Sequence, residues 1–186
     1  MKVILASKSP RRQELLKTIY DEFEVMESGV DENYPEDMEF EDIPAYLAVR
    51  KAMAVAKGRE DSLVIASDTC VFLDGKSIGK PENEEEARKF LGLLSGRTHT
   101  VITGCCAAYK GRQVSFSDKA LVRFYRLSDQ EIDDYVASGE AYDKAGGYGI
   151  QGKGKLLVHS IEGDYYNVVG LPVARLKRVL DAFLSI

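Results

Sequence analysis

The first residues that could do chemistry form a polar turn at the start of a helix. An apolar run, Val3–Ala6, leads into Ser7-Lys8-Ser9-Pro10-Arg11-Arg12, and an amphipathic segment follows. This order predicts a strand, a tight turn and a helix, with Pro10 at the first helical position, where its missing N–H is no loss. The free backbone donors and the positive end of the helix dipole would then lie beside two serines and two arginines, which predicts an anion site. A surface helix that merely carries two arginines is the alternative, and no Walker loop occurs in the chain.

Two acidic positions could activate water or hold a divalent cation. Asp68 stands between the apolar runs Leu63–Ala66 and Cys70–Leu73, so we expect two strands and a carboxylate at a strand end or kink, where ligand sites of α/β sheets lie. Glu32 belongs to an acidic loop, for which a solvated run of charge is the alternative. The chain has two histidines, so carboxylates rather than imidazoles would hold a metal, which suits Mg²⁺ or Mn²⁺.

Other signals are weak when taken singly. Lys51 and Lys80 are ordinary lysines in isolation, although Gly79–Pro81 is stiffer than a surface lysine needs. The glycine-rich stretch Gly146–Gly152 could be a flexible loop or a place where backbone approaches a ligand closely. Taken together, these cations, the two carboxylates and the polar turn are what phosphoryl transfer with a divalent ion requires.

Length and composition describe an ordinary soluble globular protein. The 186 residues suffice for one core or two small lobes, and 45% are hydrophobic. A net charge of -5 argues against a partner that is a nucleic acid polymer. No apolar run approaches the ~20 residues that span a membrane, and no signal peptide is visible, so we expect a cytoplasmic protein without a membrane partner. The three cysteines are expected to be buried thiols.

Helices alternate with hairpin-linked strands along the chain. Asp42, Asn83 and Ser128 are each placed to cap a helix, and the hairpin turns are expected at Asp74–Gly75 and Lys110–Gly111. This pattern predicts an α/β protein with a mixed sheet rather than a purely parallel one.

Collinear motifs over nearly the whole chain resemble those of the Maf family of nucleoside triphosphate pyrophosphatases. The matching blocks are Ser7–Leu16, Val30–Glu32, Arg50–Ala52, Ala66–Thr69, Gly79–Pro81, Ser95–His99, Asp143–Gly152 and Gly163–Pro172. The resemblance implies a single domain over residues 1–186. Its fold would be a long mixed sheet flanked by helices, with two lobes and a central cleft, similar to that of inosine triphosphate pyrophosphatases. The implied reaction is hydrolysis of a nucleoside triphosphate to the monophosphate and pyrophosphate with Mg²⁺ or Mn²⁺.

The resemblance also implies roles for individual residues. Asp68 would be the proton acceptor that polarises water for attack on the α-phosphorus, and Glu32 would share metal coordination with it. The positions expected to hold the triphosphate and stabilise the departing pyrophosphate are Ser7, Arg12, Lys51 and Lys80.

Three positions distinguish subgroups of the family, and here they are Arg11, Thr69 and Gln151. This combination resembles the dTTP/UTP pyrophosphatases, whereas the 7-methyl-GTP subgroup carries Trp at the first position. The chain has no tryptophan and so lacks the best cation–π partner for a methylated guanine. The Gln151 amide could accept from uracil N3–H while donating to O4, and the same amide turned over could satisfy cytosine. We therefore expect only partial rejection of CTP.

Other functions stay open at this point. The base could instead be 7-methyl-GTP or a deaminated purine, or the chain could be a non-enzymatic nucleotide-binding regulator of cell division. Retention of both carboxylates and the matching cations favours the enzyme. The expected partner is the nucleoside triphosphate, and the resemblance adds a homodimer.

Overall fold

The computed structural model describes residues 1–185. Within this range the strands are β1 Lys2–Leu5, β2 Glu24–Val25, β3 Ser62–Leu73, β4 Lys76–Ile78, β5 Thr98–Tyr109, β6 Arg112–Phe124 and β7 Val158–Glu162. The α-helices are α1 Pro10–Leu16, α2 Ile43–Ala56, α3 Glu84–Leu94, α4 Asp129–Ala137, α5 Tyr165–Val169 and α6 Val173–Leu184, and 3-10 helices cover Ala145–Gly147 and Gly152–Leu156.

The strands form one mixed sheet in the order β2-β1-β3-β5-β6-β7, and β4 pairs with β3 beside this path. β1 runs parallel to both of its neighbours, with Lys2 opposite Ser62 and Leu5 opposite Ile65 on β3. β3 and β4 are antiparallel, as are β6 and β7. The predicted α/β fold with a long mixed sheet flanked by helices is therefore confirmed.

The chain divides into two compact units. The first contains residues 1–69, residues 103–118 and the chain from Gly170 onward, and the second contains residues 70–102 and 119–169. In the first unit, apolar residues of α2 pack on β1, β3 and β5, as shown by the buried cluster of Ile4, Ala6, Ala48, Ala52, Val55, Val64, Ala66 and Cys106. In the second unit, α3 packs against α4 over a core that includes Phe124 and Tyr148.

Side-chain caps form at two of the three helix starts where the sequence predicts them. The Asn83 side chain accepts from the backbone of Glu86, and Ser128 forms a capping box with Glu131. Asp42 was expected to cap α2, and that prediction is wrong. Its side chain makes no capping hydrogen bond within residues 1–185, because its backbone is already in the right-handed helical region, outside the extended conformation that an N-cap needs.

The expected break near Asp68 does not occur. β3 is one continuous strand from Ser62 to Leu73, and Asp68 lies inside it rather than at a strand end. A buried polar residue inside a strand is tolerated when it is paired, and the fully buried Ser67 and the buried Asp68 both have partners. The strand therefore carries its polar residues without interruption.

One close contact fixes how α2 meets β5. A Cβ atom added at Gly104 would lie 2.1 Å from the carbonyl carbon of Pro44, so glycine alone allows this approach. The first turn of α2 is thereby held against the strand. None of the helices formed by residues 1–185 is long and apolar enough to cross a membrane.

Candidate active site

The opening turn folds around the Arg12 side chain. α1 begins at Pro10, as the sequence predicts, and the Ser9 hydroxyl accepts from the Arg12 backbone N–H. Arg12 Nη1 donates to Ser7 Oγ at 3.3 Å, and the same hydroxyl accepts from the backbone N–H of Ser9. The side chain of Arg12 therefore turns back over the start of its own helix.

A carbonyl from the far end of the sequence fixes the guanidinium. Gly170 O accepts from Arg12 Nε at 3.0 Å and from Ser67 Oγ at 3.1 Å. Gly170 has φ +124°, which favours glycine, and a Cβ there would lie 3.3 Å from Arg12 Nε. A side chain at this position would crowd the arginine that its carbonyl holds.

A pair of threonines completes the cradle of Arg12. Arg12 Nη2 donates to Thr69 Oγ1 at 3.1 Å, and Thr69 Oγ1 lies 2.8 Å from Oγ1 of the fully buried Thr103 on β5. Desolvation lowers the pKa of Arg12, against the attraction of the Asp68 carboxylate. The ordinary pKa of arginine is so high that the group stays cationic at neutral pH.

A lysine from α2 joins the two carboxylates named by the sequence. Lys51 Nζ donates to Asp68 Oδ1 in a short contact and to Glu32 Oε1 at 2.9 Å. The Lys51 and Asp68 side chains are only 11% and 8% exposed, whereas that of Glu32 is 52% exposed. Burial lowers the pKa of Lys51, but the attraction and hydrogen bonds of Asp68 and Glu32 outweigh it, so the net pKa is raised. Lys51 is therefore a firmly protonated ammonium group.

Arg50 holds the acidic loop that delivers Glu32. Its Nη1 donates to the Asn33 carbonyl at 2.6 Å and to the Asp31 carboxylate at 3.1 Å. This hydrogen bond from Arg50 is the main reason that the pKa of Asp31 is lowered. Neighbouring residues of α2 thus serve two purposes, since Arg50 anchors the loop and Lys51 binds the carboxylates.

The donor set fits a divalent cation that keeps most of its ligands as water and phosphate. No group of three or more His, Cys, Asp or Glu side chains placed to hold a metal occurs among the described residues. Asp68 and Glu32 nevertheless converge on one ammonium group, which leaves one negative charge in excess. Mg²⁺ is commonly bound by one or two carboxylates together with substrate phosphates rather than by a protein cage.

Comparison with known proteins identifies the family of this chain. The family model described as Maf-like protein matches residues 2–183. The chain belongs to the Maf family. A dTTP/UTP pyrophosphatase of Bacillus cereus is 50% identical over 182 residues, covering 98% of this Maf chain and 95% of that protein. The dTTP/UTP pyrophosphatase of Bacillus mycoides is 50% identical over 184 residues, covering 99% and 96%.

A solved structure agrees with the fold of this Maf chain. A HAM1 protein from Coxiella burnetii superposes with a TM-score of 0.58 at 16% identity, covering 98% of this chain and 99% of that one. At this sequence identity, the structural similarity is evidence for the fold alone.

Most of the sequence-predicted site residues lie in the first unit. They are Ser7, Arg11, Arg12, Glu32, Lys51, Asp68 and Thr69. Direct hydrogen bonds connect Arg12 with Ser7 and Thr69, and Lys51 with Glu32 and Asp68. The polar turn and the carboxylate pair meet at β3, where Asp68 and Thr69 are consecutive.

Lys80 and Gln151 belong to the second unit of this Maf chain. Lys80 is exposed and follows Gly79, whose carbonyl accepts from the backbone of Gly146 at 2.9 Å. Gln151 is half-buried and extended, immediately before a 3-10 helix. Their roles toward a nucleotide stay predictions from the sequence.

The glycine-rich segment is tightly packed against itself. A Cβ at Gly154 would lie 2.0 Å from the Gly149 carbonyl oxygen. The segment is also tied down by Tyr148, whose hydroxyl lies 2.7 Å from Nε2 of the buried His99, and by Tyr135, whose hydroxyl accepts from Gly149 N–H. The close contact seen here is between backbone atoms of the segment itself, and approach of this backbone to a ligand stays a prediction.

Arg50, Thr103 and Gly170 contribute to the site but were not predicted as site residues. Arg50 and Gly170 fall inside matching motif blocks, which was the available signal. Thr103 lies in an apolar strand and carries no such signal. Its role in the site is visible only in the structure, where its hydroxyl forms a hydrogen bond with that of Thr69.

Proposed function

We propose that this chain is a pyrophosphatase that hydrolyses dTTP and UTP to the monophosphate and pyrophosphate, and that residues 1–186 act as one domain. This proposal rests on relatives that are named dTTP/UTP pyrophosphatase and are 50% identical to this chain over nearly its whole length. The substrate is a nucleoside triphosphate and the reaction is metal-dependent. Mg²⁺ or Mn²⁺ is proposed because the protein donors are carboxylates.

Asp68 is the proposed general base. A water oxygen attacks the α-phosphorus, the bond from that phosphorus to the α,β-bridging oxygen breaks, and Asp68 accepts the proton that the water loses. Lys51 is protonated, so it does not compete for this proton. Its ammonium instead orients the Asp68 carboxylate through its contact with Oδ1.

Arg12 is the proposed anchor for the phosphates. Three of the five N–H donors of its guanidinium are used in contacts with Gly170, Ser7 and Thr69 in the described chain. The other two, one on Nη1 and one on Nη2, are available to donate to phosphate oxygens. A guanidinium already fixed on three sides loses little conformational entropy on binding, so it supports both binding and the charge of the departing pyrophosphate.

Glu32 and Asp68 are the proposed protein ligands of the divalent cation. When bound, the cation would neutralise phosphate charge and lower the pKa of a coordinated water. The two positive charges of Arg12 and Lys51 equal the two negative charges of these carboxylates, so these four side chains together offer no net positive charge to a triphosphate. This balance is the electrostatic reason for proposing a cation here.

Base choice is assigned to Arg11, Thr69 and Gln151. Thr69 acts indirectly in this proposal, because its hydroxyl contacts Arg12 and Thr103. Gln151 hydrogen-bonds to uracil or thymine in this proposal. Its side-chain amide can also turn over and hydrogen-bond to cytosine, so partial acceptance of CTP is expected.

The test is pyrophosphate release from dTTP, UTP, CTP, 7-methyl-GTP and ITP, with and without Mg²⁺ or Mn²⁺. Metal-dependent release led by dTTP and UTP is expected, with a lower but measurable CTP rate. Asp68→Asn should reduce kcat by at least about a hundredfold while nucleotide binding persists. A purine leading the panel would overturn the base assignment, and a near wild-type rate in Asp68→Asn would remove this residue from the mechanism.

A further inference from the structure

A cavity lies in the first unit, between the end of α2 and the turn from β5 to β6. Its volume is about 310 Å³, at the lower end of the range for small-ligand sites. Its lining combines Met53 and the ring of Tyr109 with the cations Lys57, Lys110 and Arg112. Arg59 and Glu60 complete the charged lining, so basic groups exceed acidic ones at this position of an acidic chain.

The cations around this cavity belong to the basic side chains that form no ion pair among the described residues. Elsewhere, basic side chains such as Lys2, Lys8, Arg88 and Lys177 form ion pairs. In the part of the chain that the structure describes, Lys57, Arg59, Lys110 and Arg112 form none within 4.0 Å. Glu60, the acidic residue of the lining, accepts from the backbone of Gly58. Four basic side chains that make no ion pair in the described chain therefore lie around one cavity.

Neighbouring groups orient these cations instead of neutralising them. Arg59 donates to the Val55 and Lys57 carbonyls at the end of α2, where it covers the negative end of the helix dipole. The Lys110 ammonium lies 5.3 Å from the ring centre of Tyr109, and the Arg112 guanidinium lies 5.1 Å from that of Phe183. Such contacts hold positive charge in place without cancelling it.

The cavity is distinct from the candidate active site. Ser62 lines it at the first residue of β3, whereas Asp68 lies six residues further along the same strand, about 20 Å away at the usual strand rise. None of the side chains proposed to act in hydrolysis lines this cavity.

We propose that this cavity is a second binding site for a mononucleotide. The phosphate is bound by Lys57, Lys110 and Arg112, and the base lies against the apolar flank formed by Met53 and Tyr109. Met53 is 46% exposed, so its side chain is accessible to a base bound in the cavity. The combination of an apolar flank and a cationic flank distinguishes this ligand class from a bare inorganic anion.

The experiment follows the backbone amides of the ¹⁵N-labelled protein during titration with UMP, pyrophosphate and uridine. Shifts at Gly111 and Arg112 are expected with UMP, weaker shifts with pyrophosphate, and none with uridine at equal concentration. The double variant Lys57→Gln, Arg112→Gln should weaken UMP binding at these amides about tenfold or more. The matched control Lys17→Gln, Arg178→Gln removes the same charge from exposed positions outside the cavity and should change nothing.

Several results would overturn the proposal. They are an absence of shifts at Gly111 and Arg112 with millimolar UMP, equal weakening in the control variant, or tighter binding of pyrophosphate than of UMP. Tighter binding of a single-stranded oligonucleotide than of UMP, with a steep salt dependence, would reassign the surface to a polymer. Because the signal is read at the β5–β6 turn, loss of hydrolysis elsewhere in the chain leaves this test intact.

Discussion

Removal of the Lys51 ammonium should destabilise the protein because it leaves a buried carboxylate without its cation. The side chains of Lys51 and Asp68 are 11% and 8% exposed, so Lys51→Met breaks a buried pair, a change that costs about 3 kcal/mol or more. The contact with Glu32 adds at most about 1 kcal/mol, because that carboxylate is half exposed to water.

The assay is urea denaturation of the wild type, Lys51→Met, Asp68→Asn and the double variant. Replacing Asp68 by asparagine removes the charge that Lys51→Met would leave buried. We therefore expect Lys51→Met to cost about 2 kcal/mol less in the Asp68→Asn background than in the wild type. Lys177→Met is the matched control, because Lys177 forms an exposed pair with Asp181 and its loss should cost about 0.5 kcal/mol or less.

The reasoning is refuted if Lys51→Met costs no more than Lys177→Met. It is equally refuted if the cost of Lys51→Met is the same with and without the charge on Asp68. In either case the ion pair would not be an energetic element of the fold.

Further predictions concern pH, packing and hydrogen bonding. Burial lowers the pKa of His99 to about 4, so below pH 6.5 the unfolded chain binds a proton that the folded chain does not. The free energy of unfolding should fall by about 3 kcal/mol as pH falls from 6.5 to 4, and His99→Gln should remove this slope in denaturation curves. Gly104→Ala should cost more than about 2 kcal/mol, because its Cβ would overlap the backbone of α2. Gly92→Ala is its control: this glycine lies within a helix, no atom of the described chain apart from its chain neighbours and its own helix backbone lies within 4 Å of the added Cβ, and a gain of about 0.5–1 kcal/mol is expected. A thermal melt that ranks the two glycine variants the other way would contradict the packing argument. Thr103→Val should raise KM for dTTP about threefold to tenfold by releasing Thr69, and an unchanged KM would show that the hydroxyl pair has no part in binding.

Local features were the most predictable parts of this chain. Pro10 at the first turn of α1 and the capping box of Ser128 with Glu131 depend on neighbouring residues, so sequence spacing defines them. Asp42 shows the limit of this reasoning. Its residue type favours a cap, but the backbone conformation that decides the matter depends on the preceding turn, where Asp42 N–H donates to the Glu39 carbonyl.

The site residues could be named from motifs, but their contacts could not. Lys51 and Asp68 come from a helix and a strand, and nothing in either segment states that they pair. The unbroken course of β3 depends on the same contacts, because a polar residue inside an apolar strand suggests a break until its partners are known. The cradle of Arg12 was hidden for a stronger reason, since its main acceptor is a backbone carbonyl, which any residue type would supply.

The distance along the chain between Arg12 and Gly170 has a consequence for biosynthesis. The hydrogen bond between them spans 158 positions, and the first unit receives its last segment only from Gly170 onward. Because translation proceeds from the amino terminus, the opening turn is made 158 positions before its carbonyl anchor. A nascent chain therefore carries an unanchored Arg12 until Gly170 has been added, and nucleotide capture through a fixed Arg12 requires that later segment.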